Sequence, residues 1–182
     1  MNPPDWSSCR EEELWKFVSF HLAKNSIETV LVGGAVVAIY TGGLYQSGDL
    51  DLIVTNFFKD GLPTVMASLG FRKKGRHFFH PLCQHLFVEF PAGPLGIGDD
   101  VSIQPDKVLC EGVEIKILSP SDCIKDRLAS YLFFQDQEGL SQAVLVAQHQ
   151  AFDHEAVRAW CQRENALPVW EKFAGLLSEN QG

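Results

Sequence analysis

Positive charge is scarce in this chain. Its 182 residues include 15 Lys and Arg against 23 Asp and Glu, which gives a formal net charge of −8 with neutral histidines. That balance argues against broad electrostatic binding to nucleic acid or to an anionic membrane, although it leaves room for a small basic pocket. Hydrophobic residues make up 46% of the chain. This is enough for a substantial core in one domain, or in one domain with a small helical appendage.

Paired cysteines and long apolar stretches are missing as well. The five cysteines are odd in number, scattered, and without a C-x-x-C pair, a usage typical of a reducing cytosol. The N-terminus lacks a basic region followed by an apolar stretch, so we expect no signal peptide. The longest apolar run, 30–40, is too short to span a bilayer and contains two glycines. We therefore expect a cytoplasmic protein that does not act on a membrane.

The segment 30–54 carries most of the functional information. It opens with an apolar strand, a Gly33-Gly34 turn and a short helix, and it ends in a strand that begins with Asp49 and Asp51. Side chains alternate along a strand, so both carboxylates point to the same face. Such neighbours repel each other and usually persist only where a cation offsets their charge. Because backbone N–H groups at the glycine turn can face a phosphate, the segment indicates a site for a metal-bound nucleoside triphosphate.

The remaining patterns predict an α+β protein with a small mixed β-sheet, flanking helices and a helical C-terminal part. We expect an α/β core over residues 1–118 and a helical subdomain over residues 119–182. Strands are expected at 29–32, 49–54, 71–79, 85–90, 101–103, 108–110 and 113–118. Helices are expected at 9–24, 35–41, 60–69, 120–134, 138–150, 153–164 and 168–178. Ser8, with Glu11 three residues later, matches a capping box for the first helix.

A third acid, Glu89, lies in the predicted strand 85–90. A charge inside an otherwise apolar strand is costly unless it has a partner. If this strand lies beside 49–54, Glu89 joins Asp49 and Asp51, and three carboxylates suit one or two Mg²⁺ ions that also bind phosphate oxygens. The alternative is that Glu89 pairs with an Arg or Lys in the core.

A Gly-Gly strand-to-helix turn, a Ser-x-Asp-x-Asp strand and a third acid on a later strand together resemble the nucleotidyltransferase fold of the DNA polymerase beta superfamily. The Leu-Val-Gly-Gly-Ala opening looks most like the small bacterial and archaeal members, which include the AbiEii-type toxins and many uncharacterised relatives. The resemblance covers residues 30–54 and 86–128. It implies metal-dependent transfer of a nucleoside monophosphate from a nucleoside triphosphate to a hydroxyl on an RNA end, a protein or a small molecule. It also implies Mg²⁺ or Mn²⁺ as cofactor and, for a toxin, an antitoxin protein as partner.

Position by position, the resemblance implies that Asp49 and Asp51 bind metal, and that Glu89 binds metal and acts as general base toward the acceptor hydroxyl. It also implies nucleotide contacts at three small residues: Gly33, Gly34 and Ser47. Many relatives carry a basic residue just before the Ser-x-Asp motif, whereas this chain has Leu-Tyr-Gln at 44–46. That departure favours the alternative, a catalytically degenerate nucleotide-binding or regulatory protein on the same fold.

A triphosphate site also needs positive charge. Lys125 and Arg127, on the first helix of the C-terminal part, are candidates for nucleotide binding. The basic cluster at 72–76 is a further candidate, although an exposed hairpin is its plainer interpretation. A zinc site is the weaker interpretation of four nearby residues, because their spacing matches no common zinc pattern: His77, His80, Cys83 and His85.

Overall fold

The computed structural model describes residues 1–56 and 61–179. Within these residues the chain forms one seven-stranded sheet and seven helices. The strands are β1 (Thr29–Val32), β2 (Asp49–Val54), β3 (Arg72–Lys74), β4 (His77–His80), β5 (Cys83–Glu89), β6 (Asp106–Cys110) and β7 (Val113–Ile117). The helices are α1 (Glu11–Lys24), α2 (Gly34–Tyr40), α3 (Leu62–Ser68), α4 (Pro120–Phe134), α5 (Gln137–His149), α6 (His154–Arg163) and α7 (Leu167–Glu179).

The sheet is mixed, and its strand order is β3-β4-β5-β2-β1-β7-β6. Strand β1 pairs antiparallel with β2, the central strand, and parallel with β7. On the other side, β2 pairs parallel with β5. Antiparallel hairpins complete both edges of the sheet. The expected α+β class with a mixed sheet, flanking helices and a helical C-terminal part is confirmed.

The unit β1–α2–β2 forms where the apolar pattern predicts it. All four residues of β1 are buried. In β2, Leu50 and Leu52 are fully buried, whereas Asp49 and Asp51 are partly exposed. The alternation of leucine and aspartate thus separates a core face from a polar face, as the two-residue period of a strand requires.

The first helix begins differently from the prediction. The residue that caps α1 is Arg10, whose backbone N–H donates to Glu13 Oε2 at 3.0 Å. Glu11 is buried and accepts the backbone N–H of Ser47 at 2.7 Å. The predicted capping box of Ser8 with Glu11 is therefore wrong, because a tertiary hydrogen bond takes the carboxylate that the local motif would use.

Two of the predicted strands also differ. The segment 71–79 forms two strands, β3 and β4, because Gly75 adopts a φ of +61° and turns the chain back on itself. The strand expected at 101–103 is absent: this stretch is described and lies outside the sheet. There the backbone N–H and the hydroxyl of Ser102 both donate to Asp100 Oδ1, at 3.0 and 2.7 Å. Such local side-chain bonds compete with a strand ladder.

The C-terminal helices form close to their expected bounds. Ser119 caps α4, and its Oγ accepts the backbone N–H of Asp122 at 3.1 Å. The indole N–H of Trp160 donates to the carbonyl of Ile97 at 3.0 Å, so α6 contacts the loop that precedes β6. A separate subdomain over 119–182 stays a prediction.

The helix expected at 60–69 is α3, although Asp60 lies outside the described residues. Among the helices of the described segments, none is both long and apolar enough to cross a membrane.

Candidate active site

Two adjacent parallel strands carry the three predicted acids. In the register of β2 and β5, Asp51 lies directly opposite Glu89, and Asp49 lies opposite Phe87. Residues opposite each other on neighbouring strands point to the same face of a sheet, and Asp49 and Asp51 already share a face. The structure therefore brings the three acids to one side of the sheet, as the sequence requires for a common site.

The glycine turn packs directly against these acids. Gly33 has φ +76° and ψ −157°, a backbone region that is essentially restricted to glycine. A Cβ atom on Gly33 would lie 2.7 Å from Asp51 Oδ2, and one on Gly34 would lie 3.0 Å from Ser47 Oγ. The two glycines thus hold the turn close to Asp51 and Ser47, at distances that a side chain would prevent.

Ser47 is held on both of its polar groups. Its Oγ donates to Asp49 Oδ1 at 2.9 Å, and its backbone N–H donates to Glu11 Oε1 at 2.7 Å. This chain of hydrogen bonds links α1 to the first acid of β2. Glu11 was missed as a site residue because it lies in another element, and no local pattern connects it with Ser47.

Glu89 has two partners from the hairpin of β3 and β4. Its Oε2 lies 3.1 Å from Arg76 Nε, and its Oε1 lies 2.6 Å from His77 Nε2. Glu89 itself is buried, whereas the Arg76 side chain is exposed. The alternative expectation that Glu89 pairs with an Arg or Lys is met by Arg76, although this residue belongs to the exposed basic cluster 72–76 and does not lie in the core.

Because both of its oxygens are engaged in this way, Glu89 is drawn toward the hairpin. In residues 1–56 and 61–179, only one group of three His, Cys, Asp or Glu has ligand atoms that all lie within 4.8 Å, and that group lies elsewhere. The three carboxylates share one face of the sheet, but their oxygens are not all within 4.8 Å of one another.

The environment of the site raises the pKa of Asp51. Burial is the largest cause and raises this pKa to about 6, and the charges of Asp49 and Glu89 add to the shift. Arg127 opposes the shift, so its guanidinium lies within electrostatic reach of Asp51. A divalent cation would relieve this excess of negative charge, and carboxylate oxygens are the ligands that Mg²⁺ prefers. The donor set therefore fits Mg²⁺.

Arg127 lies within electrostatic reach of Asp51, and its guanidinium is held in place by other residues. Its Nη2 contacts Asp126 Oδ2 at 2.6 Å, and its Nη1 donates to Gln142 Oε1 at 3.2 Å. Burial alone would lower the pKa of Arg127, but the neighbouring Asp126 carboxylate raises it, so the side chain stays cationic. The guanidinium is a preorganised positive charge at the edge of the acid group.

Lys125 occupies a different environment. Its Nζ donates to Asp122 Oδ1 at 2.9 Å and lies 4.0 Å from Asp100 Oδ2, in a mostly buried ion pair. Residues two apart on a helix do not face each other, so Lys125 and Arg127 point to nearly opposite sides of α4. The structure thus brings Arg127 to the acids and places Lys125 with carboxylates of its own helix and of the loop before β6.

Tyr45 lines the site and was not singled out from the sequence. A Cβ atom on Gly34 would lie 3.3 Å from its hydroxyl. Burial raises the pKa of Tyr45, the Glu138 carboxylate adds to the shift, and Arg127 opposes it. Its position just before the Ser-x-Asp motif is the signal that could have found it.

Comparison with known proteins supports the fold. No protein-family model matches the chain, and a search of curated proteins finds no match either. Among solved structures, an antigenic nucleotidyltransferase-like protein from Paracoccidioides brasiliensis matches with a TM-score of 0.59 and 15% identity, over 91% of this chain and 94% of the other. The antibiotic-resistance factor ANT(2'')-Ia matches with a TM-score of 0.52 and 12% identity, over 90% and 93%.

Likeness at such low identity concerns the fold. The chain has a nucleotidyltransferase fold. The suspected kinship with the AbiEii-type toxins stays a prediction.

Proposed function

We propose that this chain is a metal-dependent nucleotidyltransferase that moves a nucleoside monophosphate from a nucleoside triphosphate to a hydroxyl acceptor. The observation that carries the proposal is the pairing of Asp51 with Glu89 across β2 and β5, with Gly33 packed on Asp51. The nucleotidyltransferase fold supports the proposal. In this fold β2 and β5, which carry the acids, are adjacent, and the glycine turn before α2 packs against Asp51.

The cofactor that suits this site is Mg²⁺ or Mn²⁺. Asp49, Asp51 and Glu89 would hold it, since all three point to one face of the sheet. When bound, such an ion neutralises charge on the triphosphate and on the leaving pyrophosphate.

The residues of the chain have separate tasks in the transfer. Gly33, packed on Asp51, and Gly34, packed on Ser47, present the backbone of the turn to the phosphates, and Arg127 supplies positive charge. Glu89 takes the proton of the acceptor hydroxyl while the oxygen of that hydroxyl forms a bond to the α-phosphorus. The bond from that phosphorus to the bridging oxygen breaks, and pyrophosphate leaves with the electron pair. Arg76 and His77 orient the Glu89 carboxylate for this proton transfer.

The acceptor is an RNA end, a protein or a small molecule, and the site of action is the cytoplasm. The net charge of −8 disfavours a long RNA. A toxin with an antitoxin partner is one form of the proposal. It predicts growth arrest on expression that Asp49→Ala relieves, and arrest that survives this substitution would argue against a catalytic toxin.

The direct test measures thermal stabilisation by Mg²⁺ with each of the four nucleoside triphosphates. A ligand that binds only the native state raises the unfolding temperature. We expect a metal-dependent rise in the wild type and in Glu114→Ala, whose acid lies on β7, and no rise in the double variant Asp49→Ala/Asp51→Ala. A wild type that shows no rise with any triphosphate would contradict the proposal.

A second candidate is a nucleotide-binding or regulatory protein without turnover. Two observations favour it: both oxygens of Glu89 already have partners, and no basic residue stands at 44–46. The two candidates differ in one measurement. Release of pyrophosphate with a suitable acceptor supports the enzyme, whereas metal-dependent triphosphate binding without any release, across RNA, protein and small-molecule acceptors, supports the binding protein.

A further inference from the structure

A second group of metal-ligating side chains lies at the beginning of β5. Cys83, the first residue of this strand, faces Cys9 with 3.7 Å between the two sulfur atoms. The Nδ1 atom of His85 lies 3.9 Å from Cys83 Sγ. The ligand atoms of all three residues lie within 4.8 Å of one another, and this is the one such group in residues 1–56 and 61–179.

The residues of this cluster are not the four that the sequence suggested as zinc ligands. His77 pairs with Glu89, and His80 stacks on Trp6 with 3.7 Å between ring centroids. Only Cys83 and His85 of the original four come together, and their partner is Cys9, at a separation of 74 residues. The spacing of residues 77–85 matches no common zinc pattern because the third ligand, Cys9, comes from the distant segment before α1.

His85 already has the orientation of a metal ligand. Its Nε2 lies 2.8 Å from the carbonyl oxygen of Cys9. A carbonyl only accepts, so Nε2 carries the hydrogen in the neutral ring, and the lone pair of Nδ1 faces Cys83. Histidines that bind metals typically donate their other ring N–H to a carbonyl or carboxylate, which fixes the tautomer. The same arrangement is present here.

The distances suit a tetrahedral zinc ion. With Zn–S bonds of about 2.3 Å and Zn–N bonds of about 2.0 Å, tetrahedral angles place two sulfurs about 3.8 Å apart and sulfur and nitrogen about 3.5 Å apart. The corresponding distances in this cluster are 3.7 and 3.9 Å. A disulfide needs a sulfur separation near 2.05 Å, so the two thiols are not bonded to each other.

The two sulfurs are also in an environment where a cation has a large effect. Both cysteines are almost fully buried. Zinc binds thiolates and displaces their protons, so its charge would stabilise a form that burial otherwise disfavours.

An ion can reach the cluster from solvent. A cavity of about 420 Å³ is lined by Cys9 and His85 among other residues, and His85 is exposed. Three protein ligands with an opening to solvent leave one tetrahedral position for water.

We propose that Cys9, Cys83 and His85 bind one Zn²⁺ ion, with water in the fourth position. The ion would join the segment before α1 to the start of β5. Two residues after Cys9, Glu11 holds Ser47, and at the far end of β5 stands Glu89. The zinc site therefore stabilises both sides of the candidate active site. It does not depend on nucleotide chemistry.

The test uses the full chain, purified with a reductant and freed of metal. Cobalt titration of the metal-free protein should produce a thiolate-to-cobalt absorption band that saturates at one ion per chain, with release of the two thiol protons, and zinc should then displace the cobalt and abolish the band. Native mass spectrometry should then show one zinc ion. We expect zinc to raise the unfolding temperature by several degrees.

Two variants and two controls locate the site. Cys83→Ser and His85→Gln should weaken zinc binding by more than about 100-fold, beyond what the loss of an outer partner causes. Cys110→Ser removes a buried cysteine elsewhere, and His80→Gln removes a nearby histidine, so both should bind zinc like the wild type.

The wild-type spectrum is decisive even if a variant fails to fold. A reduced wild type without a thiolate band, a band that persists in folded Cys83→Ser, or a stable Cys9–Cys83 disulfide that forms in preference to zinc binding would each overturn the proposal.

Discussion

Asp51 and Glu89 lie directly opposite each other on the parallel strands β2 and β5, with both acids on one face of the sheet. Gly33 closes on Asp51 so tightly that a Cβ would come within 2.7 Å of its carboxylate. Burial and the acids around Asp51 raise its pKa to about 6. Negative charge concentrated around Asp51 lowers the free energy of unfolding when no cation is bound, and this decrease can be measured.

Asp51→Asn should stabilise the metal-free protein at neutral pH. The folded-state pKa of Asp51, about 6, lies above the ordinary value of 3.8. Below about pH 4 the carboxyl is protonated in both states and has no effect. As the pH rises from about 4 to 6, the unfolded chain releases its proton first, so the stability of the wild type falls, and above pH 6 the loss is constant. Allowing for partial exposure, we expect a gain of about 2 kcal/mol in the variant.

Urea unfolding in a chelator, from pH 4 to 8, measures this gain. The free energy of unfolding of the variant should lack the decrease between pH 4 and 6 that Asp51 causes in the wild type. Mg²⁺ with a triphosphate should stabilise the wild type and not the variant. A variant less stable than the wild type at pH 7 in chelator would show that Asp51 is not under strain from its charge.

Gly33→Ala should destabilise the protein and abolish nucleotide binding. The backbone at Gly33 is in a region that alanine avoids, and the new Cβ would meet Asp51 Oδ2. We expect a cost of about 1–3 kcal/mol, seen in urea unfolding. Gly42→Ala is the matched control, because Gly42 also has a positive φ, +61°, but its Cβ would meet nothing within 4 Å. This control should lose stability and keep the triphosphate-dependent rise in unfolding temperature.

Arg127→Ala and Lys125→Ala should have different effects. Arg127 lies by the acids, so its loss should weaken triphosphate affinity by at least about tenfold, measured by calorimetry with Mg²⁺. Lys125 holds Asp122 in a mostly buried ion pair, so its loss should cost about 3 kcal/mol of stability and leave affinity unchanged in the folded fraction. A tenfold loss of triphosphate affinity in Lys125→Ala would instead show that Lys125 contributes to nucleotide binding, as the sequence predicted.

Glu89→Gln should separate binding from turnover. The amide keeps the size of the side chain but cannot take the acceptor proton, so we expect turnover to fall by about 10² to 10⁴-fold, measured as pyrophosphate release. Glu114→Gln, on the exposed part of β7, is the matched control and should keep wild-type turnover. Undiminished release in Glu89→Gln would exclude its role as general base.

Arg76→Ala tests the exposed partner of Glu89. The Arg76 side chain is 81% exposed, so the pair should contribute less than about 1 kcal/mol to stability, measured in urea. If Arg76 orients the carboxylate, turnover should fall while the affinity for the metal and triphosphate holds. An equal loss of turnover and of triphosphate affinity would instead show that Arg76 contacts the nucleotide.

Local patterns were sufficient for the elements that carry the site. The leucine–aspartate alternation of β2 and the glycine turn before α2 depend on residues next to each other in the chain, so the sequence predicted them correctly. Local patterns failed for two reasons. Glu11 accepts a hydrogen bond from the distant Ser47 instead of capping α1, and Ser102 donates to its near neighbour Asp100 where a strand was expected.

By itself, then, the sequence determined which faces are polar and where the acids sit along their strands, because the two-residue period of a strand needs no knowledge of the rest of the fold. Only the tertiary structure decided that β5 lies beside β2, that Arg127 comes within electrostatic reach of Asp51 while Lys125 pairs with Asp122, and that Cys9 meets Cys83. Many strand orders bury the same apolar faces equally well, so the choice among them depends on how the whole core packs.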